Sequence, residues 1–414
     1  MQILKEALKR IKPSMEEEKD IRAKVNAVLK KINSRLRDAK AVLGGSGAKG
    51  TWLKQANDAD IFVCFNYKKF KDKSDELADI LGKVLKKLFP KAQRLHGSRD
   101  YFQIKMKDFT FEIVPILSIQ NADKAANITD VSPLHSRWVK KHPKHLDDIR
   151  LTKQFCRSAG VYGAESYIQG FSGYICEVLT IHFKGFLPLV RAASKWEGKV
   201  VIDPQGHFRR KNVLMELNAS KTQGPLVIVD PVQKSRNAAA AVSTGKFEQF
   251  RLYCRQFLKK PSMEFFEEKP AGLDAFKKKK KNNKLVVMDI AAPKGKRDIV
   301  GCKLLKMFGQ ISADLGKYGF SVKGSSWSWD KRLAAQFFFI IDSKALPKEL
   351  VQEGPPLKME KHAGMFRKKH PDTFVKNGRL YAKTMRLFTT PEGYFALLLK
   401  ENPFECSISD MVIE

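Results

Sequence analysis

Apolar residues in the first part of the chain follow two periods. Leu77, Ile80, Leu81, Val84 and Leu88 recur every three or four positions, which predicts a helix over 73–88 with one buried stripe. Short apolar or alternating runs at 41–43, 61–65, 100–106 and 109–117 predict strands, the last two joined by a turn at Lys107 and Asp108. Ahead of them, residues 1–38 read as two helices broken at Pro13, the second opened by a capping box of Ser14 and Glu17. Helices against a small mixed sheet make an α/β head domain over residues 1–135.

The pattern over 136–258 is mostly helical, with helices at 145–159 and 172–183, the second capped by Ser172. Phe247, Phe250, Cys254 and Phe257 fall at helical spacing and read as core. Apolar runs at 200–203 and 226–230 each end in Asp-Pro and read as strands bracketing an exposed hairpin. Composition shifts at Lys259-Lys260-Pro261 and again at the lysine run 277–281, which reads as a solvated loop or a phosphate contact. Beyond it, strand (285–290), helix (297–318) and strand (335–342) suggest a ferredoxin-like α+β region within 259–414. The fold class is therefore α/β and α+β, multidomain, without internal repeats.

Composition changes the picture in one respect. The 77 Lys and Arg outnumber the 44 Asp and Glu by 33, an excess that points to a polyanionic partner. Basic residues from Lys358 to Arg386 are interleaved with Phe366, Phe374, Tyr381 and Phe388, either as base-stacking surfaces or as half-buried packing residues. No apolar run reaches the ~18 residues of a membrane span, and the amphipathic, charged start is unlike a signal peptide. Six scattered cysteines without a C-x-x-C pair fit a reducing cytoplasm and neither a zinc site nor a disulfide framework.

The chemistry gathers between the first two strands. Asp58 and Asp60 stand two residues apart on a strand, so both point to one face while Ala59, Ile61 and Val63 point into the core. Adjacent carboxylates repel unless a cation lies between them, and hard divalent cations such as Mg2+ prefer oxygen ligands. The preceding turn, Gly44-Gly45-Ser46-Gly47, offers backbone N–H groups and the Ser46 hydroxyl as a phosphate cradle. Glu112 is a lone charge in the apolar strand 109–115, on the face opposite Phe111 and Ile113. Strand, glycine turn and paired acids together resemble the signature of the nucleotidyltransferase superfamily that includes polymerase β, which implies a polymerase-β-like head and makes Glu112 its third carboxylate.

Further motifs carry a closer resemblance. Ile149-Arg150-Leu151-Thr152-Lys153, Gly160-Val161-Tyr162-Gly163-Ala164-Glu165, Gly170-Phe171-Ser172-Gly173-Tyr174, Val229-Asp230-Pro231-Val232 with Ser235-Arg236-Asn237, and Arg386-Leu387-Phe388-Thr389-Thr390-Pro391 are similar to archaeal-type (class I) CCA-adding tRNA nucleotidyltransferases, along nearly the whole chain. The resemblance implies template-independent addition of C, C and A to tRNA from CTP and ATP. It implies Asp58, Asp60 and Glu112 as ligands of two Mg2+ ions, with Gly45, Ser46 and Lys49 holding the triphosphate. His135, Lys153 and Tyr162 would contact the nucleotide from the far side, Arg236 would help choose the base, and the C-terminal region would grip tRNA. No membrane partner is implied, and a homodimer is left open. The chain departs from the family at Lys49, where Arg is usual, at Asp58 and Glu112, where Glu and Asp are usual, and in a shorter stretch after Pro391. Rival readings are a poly(A) or small-molecule adenylyltransferase and a non-catalytic RNA-binding protein. The basic charge opposes a small-molecule acceptor, and three retained acids oppose a dead scaffold.

Overall fold

The computed structural model describes residues 1–54, 57–209, 211–268 and 273–414. The chain folds into two compact units, Met1–Lys269 and Pro270–Glu414.

The first unit begins as predicted, with helices Gln2–Ile11 and Met15–Asn33 on either side of Pro13. The Ser14 hydroxyl accepts from the Glu17 N–H while the Glu17 carboxylate accepts from the Ser14 N–H, closing the capping box. A five-stranded mixed sheet runs in the order Ala39–Leu43, Asp58–Asn66, Phe109–Ser118, Tyr101–Met106, Gln93–Leu95. The parallel pair at its centre sets Asp60 opposite Glu112 and Asp58 opposite Thr110. Ala59, Ile61, Val63, Phe111 and Ile113 meet Val25, Val28, Ile32, Leu81 and Leu85 in one core. The acids alternate with these residues, so burying the apolar set commits the acids to the opposite face. Helix Leu77–Leu88 starts later than its pattern predicts, because the polar segment Lys71–Glu76 has nothing to bury and kinks at Lys73.

A second core in the same unit gathers helices Leu146–Ser158, Gly173–His182, Phe186–Ala193 and Thr244–Lys259 around Phe155, Phe186, Phe250 and Phe257. Ala7 and Ile11 of the first helix pack here rather than against the head sheet. Strands Val200–Ile202 and Leu226–Asp230 form as expected but pair parallel, so they do not bracket a hairpin. Parallel strands need a crossover, and the intervening chain carries short helical turns at Val213–Glu216 and Ala219–Lys221. Asp230 then turns into an antiparallel partner, Gln233–Asn237.

The second unit holds the ferredoxin-like fold. Strands Lys284–Ala291, Val322–Trp329, Ala334–Ile341 and Ser407–Ile413 with helices Arg297–Lys317 and Pro391–Glu401 follow the order β-α-β-β-α-β. All three pairings are antiparallel, with Lys284–Ala291 and Ala334–Ile341 in the middle of the sheet. A three-stranded sheet of Glu349–Pro356, Thr373–Lys376 and Arg379–Met385, with helix Glu360–Lys369, is inserted before the last helix. Its aromatics are half-buried, and Phe374 stacks on Tyr381 with ring centroids 5.5 Å apart. The lysine run is helical up to Lys280, with Lys281 in the turn that follows. Lys277 to Lys280 end helix Leu273–Lys280, where Phe276 stacks on Phe338 and cations suit the C-terminal end. Among the described residues no single helix is long and apolar enough to cross a membrane.

Candidate active site

Gly45 is where the glycine turn and the acid strand meet. The expected turn is a short helix, Gly45–Lys49, closed by Gly50 in the left-handed region. Gly45 itself has φ +52°, and a Cβ there would stand 1.6 Å from Asp60 Oδ2. The absence of a side chain therefore lets the Asp60 carboxylate lie against the backbone. Burial, then the charges of Glu112 and Asp58, push Asp60 up to about 6, while Lys49 and Lys153 pull the other way. Asp60 thus feels the acids and the lysines together. Gln103 Nε2 donates to Glu112 Oε1 at 3.5 Å. Among the described residues no three His, Cys, Asp or Glu side chains converge into a metal cage, and repulsion between the carboxylates opposes such convergence.

In front of Asp58 and Asp60 lies a polar pocket of about 200 Å³, which neither Glu112 nor Gly45 lines. Ser46, Lys49, Asp58, Asp60, Lys153 and Tyr162 line it, joined by Thr51, Arg157, Tyr174 and Glu177. Lys49 reaches it from the glycine segment and Lys153 from helix Leu146–Ser158. Both end on Glu177, which is 1% exposed: Lys49 Nζ donates to Oε2 at 2.7 Å and Lys153 Nζ to Oε1 at 2.8 Å. The Thr51 hydroxyl donates to Oε1 at 3.1 Å and accepts from Lys153 at 2.9 Å. Burial raises the Glu177 carboxyl, but the two lysines outweigh it and hold the group at about 2. Burial also lowers Lys153, against the pull of Glu177. Tyr162 lies beneath Arg157, 5.0 Å from guanidinium carbon to ring centroid, and its hydroxyl leaves no room for a Cβ at Gly173.

His135 and Arg236 do not line this pocket; they meet at Asp230, which is fully buried. His135 Nε2 lies 3.0 Å from Asp230 Oδ2, and Arg236 Nη1 donates to the same oxygen at 2.6 Å. Tyr174 joins the two clusters. Its hydroxyl donates to Asp230 Oδ1 at 3.1 Å, its ring stacks on His135 with centroids 3.9 Å apart, and Lys49 Nζ lies 5.5 Å from the ring centroid.

Glu177 and Asp230 were not among the sequence-predicted site residues. Glu177 carries the same signal as Glu112, a single charge in an otherwise apolar segment, Ile175-Cys176-Glu177-Val178-Leu179. Asp230 ends the run Leu226-Val227-Ile228-Val229 and reads from sequence as a strand end before proline.

A two-helix-covered mixed sheet bearing paired acids, with basic side chains across a cleft, defines a polymerase-β-like nucleotidyltransferase. The families described as "tRNA nucleotidyltransferase, second domain" and "CCA-adding enzyme, C-terminal domain" match residues 147–267 and 281–410. The second messenger oligonucleotide or dinucleotide synthetase domain matches residues 1–149. A CCA-adding enzyme of Methanosarcina acetivorans is 30% identical over 98% of this chain and 90% of its own. That of Methanocaldococcus jannaschii is 30% identical, covering 99% and 93%, and that of Nanoarchaeum equitans 33%, covering 87% and 89%. Among solved structures, the RNA terminal uridylyl transferase Cid1 aligns with a TM-score of 0.50 at 17% identity over 66% of this chain and 98% of its own, a likeness of fold. The chain belongs to the CCA-adding enzyme family.

Proposed function

We propose that the protein adds C, C and A to the 3′ end of tRNA from CTP and ATP, releasing pyrophosphate. The observation that carries the reading is the pocket in which Asp58 and Asp60 face Lys49 and Lys153. Phosphoryl transfer asks the protein mainly for positioning and charge neutralisation, and this cleft offers both signs of charge. Although the three carboxylates do not converge on one point, the donors are all oxygen and acidic, and burial with the charges of Glu112 and Asp58 lifts Asp60 to about 6, a repulsion that a magnesium ion would relieve. Two Mg2+ ions held by Asp58, Asp60 and Glu112 would acidify the attacking 3′-hydroxyl and neutralise the departing pyrophosphate.

The remaining roles belong to the chain's own side chains. Ser46 and Lys49 hold the triphosphate from the head, and Lys153 and Tyr162 from the opposite wall. Burial raises the Tyr162 and Tyr174 phenols, so both stay protonated donors at neutral pH. Arg236, steered by Asp230, presents a planar fork of donors to a base edge. His135 keeps the other side of that carboxylate, and burial lowers its pKa so that it stays neutral at physiological pH. Residues 1–135 would carry the chemistry and 136–258 the nucleotide's far side. The basic residues of 259–414 would grip the tRNA phosphates.

The test is incubation with tRNA lacking its 3′ end, with CTP alone, ATP alone or both, and sequencing of the products. CTP alone should add two residues, and both together should stop at CCA. Long tails from ATP alone would make the protein a poly(A) polymerase instead, and absence of any Mg2+-dependent incorporation would leave a binding protein. Arg236→Ala should blur discrimination against UTP and GTP while tRNA affinity holds.

A further inference from the structure

Glu177 is a group that the chemistry of phosphoryl transfer does not require. A buried carboxylate at a triphosphate site opposes the binding of a polyanion, yet here it takes both lysines that the reading above assigns to that anion. Lys49 and Lys153 come from separate elements, and each places its Nζ within 2.8 Å of a different Glu177 oxygen. Lys153 is 4% exposed. An ammonium so enclosed is strongly disfavoured without a counter-charge, so an anion bound there is hard to lose unless another replaces it. Glu177 is that replacement. Thr51 holds it in place from the side, donating to Oε1 at 3.1 Å.

We propose that Glu177 is an exchange partner, a positioning residue that reclaims Lys49 and Lys153 as pyrophosphate leaves and so weakens the ground-state grip on the phosphate chain. Resting on the nucleotidyl-transfer reading of the site, it concerns release rather than the chemical step. Uniform tight binding of substrate and product does not raise turnover, and a competing carboxylate prevents it.

The experiment uses the full chain with Mg2+ and inorganic pyrophosphate, comparing the parent with Glu177→Gln and Glu177→Asp. Dissociation constants come from calorimetry, and kcat and KM for CTP from incorporation into tRNA lacking its 3′ end. Glu177→Gln should bind pyrophosphate at least ~10-fold tighter, a change of about 1.4 kcal/mol, with lower kcat and no rise in KM. Glu177→Asp keeps the charge but withdraws it by a methylene, and should fall between the other two. That second variant decides the matter if Glu177→Gln does not fold. Equal or weaker pyrophosphate binding in the folded variants makes Glu177 a structural buttress and overturns the exchange role alone. A parent that binds neither pyrophosphate nor CTP overturns the triphosphate reading together with it.

Discussion

Replacing Asp230 by asparagine tests whether one buried charge holds His135, Tyr174 and Arg236 together. Its carboxylate lies 3.0 Å from His135 Nε2 and accepts from Arg236 at 2.6 Å, Tyr174 at 3.1 Å and the Val232 N–H at 2.9 Å. Burial raises the group, but the bond to His135, the Val232 N–H and the charge of Arg236 bring it from 3.8 down to about 2. At about 1.36 kcal/mol per pH unit, that interval is worth on the order of 2 kcal/mol to the folded state. An amide of the same shape loses this and turns an NH2 toward groups that are themselves donors, so Asp230→Asn should cost ~2–4 kcal/mol at pH 7. A carboxylate with a depressed pKa contributes fully above its unfolded value and loses the contribution as pH falls through its folded value. The gap between parent and variant should therefore be present at pH 5 and close between pH 3.8 and about 2. Pulse proteolysis in urea reads this, because fragment size follows the first unit separately. Equal stability at pH 7, or a gap that persists below pH 2, would refute the reasoning. In incorporation assays the variant should share the blurred base choice of Arg236→Ala.

Three further outcomes follow from neighbouring geometry. Gly45→Ala should cut turnover by about 100-fold, because the new Cβ would displace the Asp60 carboxylate by more than an ångström; unchanged kcat would show that Asp60 need not lie there. Glu112→Gln should lose at least ~100-fold in turnover, about 2.7 kcal/mol of barrier, with tRNA binding intact and Glu112→Asp substantially active; parental turnover would move the third metal ligand elsewhere. Lys277 and Lys280 pair with Glu414, so Gln at 278, 279 and 281 should flatten the salt dependence of tRNA binding more than Gln at 277 and 280, by somewhat under one unit of log slope for each phosphate no longer neutralised. A slope unaffected by either set would make the helix end a solvated one.

Much of the chain was legible because local structure is written in contiguous residues. Alternation alone put Asp58, Asp60 and Glu112 on one face of the sheet, and the structure sets Asp60 beside Glu112 in register. The Ser14–Glu17 box, the Ser172 cap and the heavily apolar strand Ala334–Ile341 were equally local. Strand Val322–Trp329 is silent in the sequence because its serines, glycine and half-exposed tryptophans give no apolar run; pairing with Ala334–Ile341 makes it a strand. The site's second half was decided by tertiary structure. Nothing in a lysine's neighbours tells that Lys49 and Lys153, from different elements, end on Glu177, or that His135 and Arg236 share Asp230. Such pairings join residues up to 128 positions apart, as Lys49 and Glu177 are. They are fixed by which apolar faces pack together, since a buried charge takes whatever partner the closing core brings within reach.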